Sequence, residues 1–541
     1  MLIYVMNNNL NMVYTYHNET KHSQQRYARS LGYMDWATQP NPYRTYIDTK
    51  KTTLPLSFEN KTLEYSQIFN QEANKNEEKI LSAPLCIEAI SQFFQFSLGL
   101  AAIKEYGDQA WALRCNASSG NLQPTEAYLI SKDIQGIDNG LYHYSPQEHE
   151  LELLSNLDNT KEDIDLKENT FLVALSSIVW REAWKYGERS WRYTQLDCGH
   201  ALKALEISAL ILGWKIEVLN TKDSELKNLL GFDQVNRYVP EERELPDMLI
   251  KVSFANDNSK KDIDISKIKA RFEDSYRGKA NQLSVNWHKW DILEKIEDAS
   301  LSDDLNIKKY TNDIYEQNPY RENSFLAKDI VLSRRSAQMM NEDNSTITKK
   351  EFETIIASVK SNNSNIHLVI FVHSVKEIDS GLYILIRNNK HKEQLQALLK
   401  KEFLWEKVDT KAGELYKLES KDFRFLAKAI SCNQDIASQG AFTLGMLAEF
   451  SNQLETYGAS KYKHLYWDCG AIGQQLYLEA SSLKLSATGI GCFLDDILHE
   501  VIGLKTNHFQ TLYHFTVGRA LVDSRLTSKK PYENRNNIET I

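Results

Sequence analysis

Two short segments recur in the same order along the 541-residue chain. Ile137–Tyr142 is matched by Ile378–Tyr383, and Asp197–Gly199 is matched by Asp468–Gly470. The matched segments lie roughly 240 and 270 residues apart, about half the chain, which is typical of a duplicated domain rather than of a solenoid. Each match also precedes or opens the same kind of predicted element. The repeat therefore predicts two diverged copies of one α+β domain, packed as an internal pseudo-dimer.

Length and composition are consistent with this interpretation. A chain of this length seldom folds around a single core, so two or more domains are expected. Hydrophobic residues make up 42% and charged residues 25% of the chain, as in globular proteins. We predict domains at 1–262 and 263–541, with the polar segment Phe254–Asp274 as an exposed linker.

Charge and cysteine usage limit the function classes. The net charge of -9 argues against an extended nucleic-acid surface. None of the 6 cysteines forms a C-x-x-C pair or stands at zinc-finger spacing from a histidine, so we expect reduced thiols and no metal site. Met1–Val13 is too polar for a signal peptide, and no run approaches the ~20 apolar residues of a membrane span. The expectation is a cytoplasmic protein without membrane or nucleic-acid partners.

Hydrophobic periodicity and turn residues predict the main elements. The predicted helices are Pro84–Tyr106, Asp197–Leu212, Lys349–Val359, Gln439–Leu454 and Ile472–Leu485. The predicted strands are Ala127–Ile130, Gly140–Tyr144, His367–His373, Leu382–Arg387 and His514–Val517.

Two motifs in the second half have a pattern suited to a ligand. Gly489-Ile490-Gly491 places two glycines around an apolar residue, which lets the backbone approach a flat ligand, although an ordinary tight turn is the commoner interpretation. Arg334-Arg335-Ser336 offers forked donors and a hydroxyl, predicted at a helix start, which suits a phosphate monoester. The alternative for the arginines is a solvated surface pair.

A third motif lies in the first half. Ser118-Ser119-Gly120-Asn121-Leu122-Gln123-Pro124 has loop composition, with hydroxyl and amide groups able to reach ligand N and O atoms; alternatively it caps the following strand. Arg525 and Arg519 could add a cation, or be plain surface charges. Asp495 and Asp496 are predicted to cap the next helix, and no histidine is assigned a catalytic role.

These motifs resemble the flavin-dependent nitroreductase superfamily, in particular tandem proteins of the SagB-type dehydrogenase class. In that family an Arg-Arg-Ser motif binds the FMN phosphate, and a glycine-rich turn lies along the edge of the isoalloxazine ring. A Ser-x-x-Asn-x-Gln-Pro loop from the partner subunit closes over the flavin. The resemblance implies a tandem nitroreductase-like fold, with antiparallel or mixed sheets flanked by helices. Its strongest parts are Gly140–Leu153, Tyr193–Trp214, Tyr466–Leu504 and Leu512–Leu526.

The resemblance further implies one complete and one degenerate flavin site. The first half has only Lys50-Lys51-Thr52 and Gly213-Trp214 where the phosphate motif and the glycine turn belong, and the second half has Ser361–Ser364 without Gln-Pro. The residues assigned to the complete site are Arg334, Arg335, Ser336, Gly489, Ile490, Gly491, Ser118, Ser119, Asn121, Gln123, Arg519 and Arg525.

The implied function is an FMN-dependent oxidoreductase that passes two electrons as a hydride through FMN. The electrons would pass from NAD(P)H to an acceptor, or from a substrate to FMN, as in azoline dehydrogenation by SagB-type relatives. The implied substrate is a small molecule or a modified peptide, and no catalytic acid or base is assigned. The alternative, motivated by the degenerate first-half site, is a non-catalytic flavin-binding or scaffold protein.

Overall fold

The structure is a computed structural model that describes residues 2–56, 63–69, 82–157, 166, 168–256, 263–272, 276–302, 310, 315–322 and 324–533. Its strands are β1 (Tyr46–Ile47), β2 (Lys50–Thr53), β3 (Leu100–Tyr106), β4 (Gln109–Arg114), β5 (Thr125–Ser131), β6 (Gly140–Ser145), β7 (Glu150–Asn156), β8 (Thr170–Ser177), β9 (Trp214–Leu219), β10 (Leu245–Phe254), β11 (Lys279–Ala280), β12 (Ile366–Val372), β13 (Gly381–Ile386), β14 (Glu406–Lys407), β15 (Glu414–Ser420), β16 (Phe442–Glu449), β17 (Ser486–Ile490), β18 (Phe509–Gly518) and β19 (Thr527–Lys529).

Its α-helices are α1 (Leu2–Glu19), α2 (Ile87–Gln95), α3 (Val179–Tyr186), α4 (Ser190–Ile211), α5 (Asp223–Leu230), α6 (Ile265–Lys269), α7 (Asp291–Ala299), α8 (Ala327–Ser333), α9 (Lys349–Ala357), α10 (Lys392–Leu398), α11 (Arg424–Ile430), α12 (Ile436–Gln439), α13 (Ser451–Tyr457), α14 (Lys461–Ser482) and α15 (Asp495–Ile502). Among the described residues, none of these helices combines the length and the apolar character needed to cross a bilayer.

The chain packs into two compact units. The N-terminal unit contains Ser30–Thr311, Leu326–Leu332 and Arg525–Ile541, and the C-terminal unit contains Met1–Arg29, Asn312–Phe325 and Ser333–Ser524. The predicted division at residue 262 refers to the two copies in the sequence rather than to packing, and it stays a prediction, as does the pseudo-dimer.

Each unit is built on a seven-stranded antiparallel sheet, and six of the seven strands follow the same order; the remaining edge strand precedes the others in the N-terminal unit (β2) and lies between β13 and β15 in the C-terminal unit (β14). The order is β2-β7-β6-β5-β8-β10-β9 in the N-terminal unit and β14-β15-β13-β12-β16-β18-β17 in the C-terminal unit. In both sheets, the strand that comes last in the chain (β10 or β18) lies inside, and the strand before it (β9 or β17) lies at the edge. The predicted duplication of one α+β domain is therefore confirmed.

The duplicated turn has the same contacts in both units. The hydroxyl of Tyr142 donates to the carbonyl of Asp138 over 3.0 Å, and the hydroxyl of Tyr383 donates to Asp379 over 2.8 Å. Gly140 is also required, because a Cβ there would meet the Ser155 carbonyl at 2.6 Å. The recurring residues thus close one turn and start one strand in each copy.

A long central helix packs in each unit. Helices α4 and α14 have 22 residues each, and they are buried along almost their whole length. A helix that is buried all round lacks the alternation of apolar and polar faces from which a helix is recognised in a sequence. The sequence therefore predicted only the more apolar part of each helix. Asp197 and Asp468 lie two turns inside these helices rather than at their starts.

Three sequence predictions of local structure are wrong. The helix predicted over Pro84–Tyr106 ends at Gln95 in the structure, and the last part of that segment is β3, which pairs with β4. Gln439–Leu454 forms the buried strand β16 before a helix begins at Ser451, because an apolar run of this length is ambiguous until it pairs with strands on both sides. The described part of Phe254–Asp274 contains α6, whose Ile265 and Ile268 are buried in the core, so it is not an exposed linker.

Candidate functional site

The Arg334-Arg335-Ser336 segment lies beside the strand that carries Gly489, within the C-terminal unit. Ser336 forms a parallel bridge with Ala487, and the Ala337 amide donates to the Ala487 carbonyl over 3.0 Å. The Thr488 hydroxyl then donates to the Ala337 carbonyl over 2.6 Å. The segment follows the end of α8, so the predicted helix start at these arginines is wrong. The donors for a ligand here are therefore side chains rather than a helix N-terminus.

Tyr477 of α14 connects the two motifs. The Gly489 amide donates to its hydroxyl over 2.7 Å, and the Ser336 hydroxyl lies 2.9 Å from the same oxygen. The guanidinium carbon of Arg334 lies 5.2 Å from the centre of the Tyr477 ring, which is cation–π distance. Arg334 and Tyr477 are both buried, whereas Arg335 is half-buried and Ser336 exposed. Sequence reasoning missed Tyr477, because nothing in its local pattern separates it from a core residue.

The glycine turn differs from its prediction. Gly489 lies within β17 in extended conformation, paired with Phe515, and a Cβ at this position would overlap the hydroxyl of Tyr513. Ile490 is 2% exposed and packs in an apolar cluster with Ile436 and Ala437. Gly489 therefore makes room for a neighbouring side chain, and Ile490 is a core residue that can meet a ligand only through its backbone.

The two C-terminal arginines lie in different units. Arg519 belongs to the C-terminal unit, where its guanidinium lies 3.5 Å from the Glu351 carboxylate. Arg525 belongs to the N-terminal unit, where it donates to the Tyr106 hydroxyl over 3.2 Å and lies 5.3 Å from that ring's centre. The charge of Arg519 is therefore partly compensated by Glu351.

The Ser118–Pro124 loop belongs to the N-terminal unit and has a strained backbone. Gly120, Asn121 and Gln123 have φ of 57°, 59° and 54°, a conformation that suits glycine, is tolerated by asparagine and is costly for glutamine. The side-chain nitrogen of Asn121 donates to the Ala112 carbonyl, and its side-chain oxygen accepts a hydrogen bond from the side-chain amide of Gln123, both over 2.9 Å. Such strain persists only where surrounding contacts impose it, and it is common at ligand sites.

Asp197 anchors this loop, a role that the sequence did not indicate. Both oxygens of its carboxylate lie 3.0 Å from the donating Ser119 amide, and the Ser119 hydroxyl donates to one of them over 2.9 Å. Burial raises the pKa of Asp197 to about 7, although hydrogen bonds from Ser118 and Ser119 oppose the shift. Burial and the neighbouring Asp197 also raise the pKa of Glu182 well above its usual value. The loop is therefore bonded to a buried carboxyl group whose pKa is raised to about 7.

The positions that correspond to the site in the other copy have different contacts. Lys50 and Lys51 lie in β2 and form ion pairs with Asp138 and Glu150 at 2.6 and 2.5 Å. Trp214 is fully buried, and its indole donates to the Ala83 carbonyl. In the second copy, the Ser361 hydroxyl donates to Asn363 within the polar loop. These side chains contact other parts of the protein, and the degeneracy of the positions stays a prediction.

Comparison with known proteins identifies the fold. The model of the nitroreductase family matches residues 100–239 and 331–519, more than half of the chain. A crystal structure described as that of a nitroreductase from Anabaena variabilis matches with a TM-score of 0.66, at 20% identity over 94% of this chain and 99% of that chain, which shows the fold alone. MJ1384 of Methanocaldococcus jannaschii, named as a nitroreductase, is 23% identical over 157 residues, or 28% of this chain and 76% of that protein.

A further likeness is weaker. The E. coli microcin synthetase McbBCD, solved with truncated pro-MccB17 bound, is 18% identical over 48% of this chain and 98% of that chain. Its TM-score of 0.26 is too low to support an argument about this chain.

Proposed function

The chain belongs to the nitroreductase family, and on that premise we propose that it is an FMN-dependent oxidoreductase with its flavin site in the C-terminal unit. The observation that carries the proposal is the meeting of Arg334, Ser336 and Gly489 around Tyr477. These residues are distant in sequence, and the two motifs share one hydroxyl group in the structure. When bound, FMN supplies two-electron redox chemistry, while the protein binds and orients it.

The donor set fits the phosphate end of FMN. The Arg334 guanidinium lies 3.5 Å from the Ser336 hydroxyl, and the Arg335 guanidinium donates to the Arg334 carbonyl over 2.6 Å. Forked guanidinium donors with a hydroxyl suit the oxygens of a phosphate monoester, and the charge-assisted bonds are about twice as strong as neutral ones. Tyr477 holds Arg334 by its ring and Ser336 by its hydroxyl, so it would fix the geometry of this end.

The ring end of the site has a narrower set of donors than the sequence indicated. The Gly489 amide is committed to Tyr477 and the Ile490 side chain to the core. The contribution of this turn to a bound ring would therefore come from the backbone that follows Gly489, at Ile490 and Gly491. The role of Ser118, Ser119, Asn121 and Gln123 at the same flavin stays a prediction.

The finer proposal is azoline dehydrogenation of a modified peptide, which rests on the resemblance to SagB-type sequences. Such a reaction removes a hydride and a proton from the azoline ring, so the product weighs two hydrogen atoms less than the substrate. The competing oxidoreductase reaction takes the hydride from NAD(P)H and passes it to an acceptor. The substrate class distinguishes the two reactions.

The test starts with the full-length protein as purified. Flavin released by denaturation should be FMN, at about one per chain, because only one set of flavin-binding motifs is complete. The holoprotein is then mixed anaerobically with NADH, with NADPH and with an azoline peptide. Bleaching of the flavin absorbance by one of them supports the oxidoreductase, and a peptide product lighter by two hydrogen atoms supports the azoline reaction.

The second candidate is a flavin-binding or scaffold protein without turnover. The ion pairs of Lys50 and Lys51 favour it, since they give the corresponding positions of the first copy a structural role. Bound FMN that no donor reduces, but that dithionite does, would support this candidate. Absence of bound flavin, with no FMN affinity in titration, would overturn the oxidoreductase and the flavin-binding form of the second candidate, and it would leave only the scaffold protein.

A further inference from the structure

A cluster of two cysteines and a histidine lies in the C-terminal unit and shares no residue with the group formed by Arg334, Ser336, Gly489 and Tyr477. The Sγ atoms of Cys432 and Cys492 are 2.7 Å apart, and Nδ1 of His22 lies 3.6 Å from Cys492 Sγ. Their ligating atoms all lie within 4.8 Å of one another, and no other His, Cys, Asp or Glu group of this kind occurs among the described residues. Both cysteines are free thiols.

His22 is held in place by the start of α15. Its amide donates to the Asp495 carboxylate over 2.8 Å, and the Asp495 amide donates back to the His22 carbonyl over 3.1 Å. Lys21 adds an ion pair with Asp496 at 2.6 Å. Leu494 is the N-cap residue of α15, and both aspartates lie in the helix's first turn, so neither is its N-cap residue. These contacts fix a segment from the beginning of the chain beside Cys492.

The two cysteine loops are also tied together. Gln434 donates from its side-chain amide to the carbonyls of Cys492, over 3.1 Å, and of Ser431, over 2.9 Å. Cys432 and Asn433 have φ of 53° and 59°, two successive residues in the left-handed region without a glycine. Strain of this kind persists only where the surroundings impose it, and it is concentrated at functional sites.

We propose that His22, Cys432 and Cys492 bind a zinc ion. Two thiolates and an imidazole are the ligand types that zinc prefers, and three protein ligands leave the fourth tetrahedral position for solvent. With usual zinc bond lengths, an N–S edge of the tetrahedron is about 3.6 Å, which agrees with the distance from His22 to Cys492. An S–S edge is about 3.8 Å, so the two sulfurs would move apart by about 1 Å on binding.

Tyr27 covers one side of the cluster. Its ring centre lies 4.6 Å from that of His22, and the side chain is 50% exposed. The Tyr27 hydroxyl also forms a hydrogen bond with Cys432. Cys432 and Cys492 are only half-buried, which leaves the proposed ion open to exchange with a chelator.

The experiment measures zinc in the full-length protein, produced with added zinc and kept in a phosphine reductant without chelator. We expect about one zinc per chain in the wild type, and affinity at least ~100-fold lower in Cys492→Ser and His22→Gln, since even indirect partners of a ligand change affinity 10- to 100-fold. Cys86→Ser is the matched control, because Cys86 is also half-buried but lies outside the cluster. It should keep the wild-type zinc content.

Cobalt substitution provides the second readout. Cobalt in the wild type should show thiolate-to-metal charge transfer, which Cys492→Ser weakens and Cys86→Ser leaves unchanged. Circular dichroism checks that the variants are folded. If Cys492→Ser does not fold, the comparison of wild type with His22→Gln decides the test. Zinc that is absent from the folded wild type, or equal in wild type and both cluster variants, overturns the proposal. A protein that forms a Cys432–Cys492 disulfide in air and binds no zinc once reduced also overturns it.

Discussion

The edge strands β9 and β17 occupy the same place in the two sheets, yet they contact different groups. β9 begins with the buried Trp214, and its Glu217 forms an ion pair with Lys251 at 3.0 Å. β17 carries Thr488 and Gly489, which bond to Ala337 and Tyr477. The same backbone position thus supports a packed edge in one copy and a set of convergent polar groups in the other. One fold can lose or keep a site through a few side chains.

The basic residues show the same contrast. Lys51 lies in a strand and pairs with Glu150, whereas Arg334 packs over an aromatic ring with Ser336 beside it. A lysine is a single point charge, without the planar fork of an arginine. The arginine segment therefore has the chemistry for planar phosphate recognition, and the lysine segment does not.

The largest expected effect is on the pH dependence of stability and concerns Asp197, which bonds to Ser119 in the first copy. The folded pKa of about 7 lies above the usual 3.8, so protonation favours the folded state. The corresponding stability is fully present below about pH 4 and is lost as the pH rises to 7, by roughly 4 kcal/mol for a shift of this size. Asp197→Asn should remove most of this loss, measured by urea unfolding between pH 4 and 8.

Asp264→Asn is the control for this prediction. Asp264 is exposed at the start of α6, and a hydrogen bond from Ser266 lowers its pKa. Its contribution is lost as the pH falls, so its removal leaves the loss between pH 4 and 7 in place. Identical pH profiles for wild type and Asp197→Asn would contradict the assigned pKa.

The second prediction compares the basic segments of the two copies. Arg335→Ala should weaken FMN binding by ~1.5–3 kcal/mol, or roughly 10- to 150-fold, because it deletes a charge-assisted phosphate contact. Lys51→Ala, which deletes the ion pair with Glu150, should leave FMN affinity unchanged. Flavin titration by fluorescence quenching measures both. An equal loss in the two variants would mean that the first copy also binds flavin.

The third prediction compares the edge strands. Gly489→Ala should lower the free energy of unfolding by about 1–3 kcal/mol, since the new Cβ would overlap the Tyr513 hydroxyl. Tyr513→Phe in the same chain should recover part of this loss by removing the oxygen. Glu217→Ala in β9 should change stability by less than about 0.5 kcal/mol, because its side chain is exposed. Urea unfolding measures the three free energies. An unchanged free energy of unfolding in Gly489→Ala would contradict the prediction.

The smallest effect is expected at Asn121. If Asn121 has the role that the family resemblance implies, Asn121→Ala should lower FMN affinity by about 1 kcal/mol, the cost of one neutral hydrogen bond. It should also lower the apoprotein's melting temperature, because the side chain bonds to Ala112 and Gln123. Asn121→Gly removes the same hydrogen bonds but also relieves the backbone strain, so it separates the two effects. Asn363→Ala is the control in the other copy. Reduced melting with unchanged FMN affinity of the folded fraction would assign Asn121 to the loop alone.

Local pattern was sufficient for much of the fold. The repeated turns at Gly140 and Gly381 carry their information in adjacent residues, so the strands that follow them were predicted within a residue or two. Helix α9 was also predicted, since its capping box of Thr348 and Glu351 is local. The family resemblance marked Arg334 and Gly489, which the structure places next to the same residue.

Tertiary structure decided what depends on partners distant in the sequence. The apolar run of β16 is a strand because β12 and β18 pair with it, and no period within the run says so. The repeat marked Asp197 without showing its role, and no motif marked Tyr477 or the cluster of His22, Cys432 and Cys492, since the partners of all these residues come from other elements. Residue type sets the chemistry that a side chain can perform, but only packing brings the groups within bonding distance.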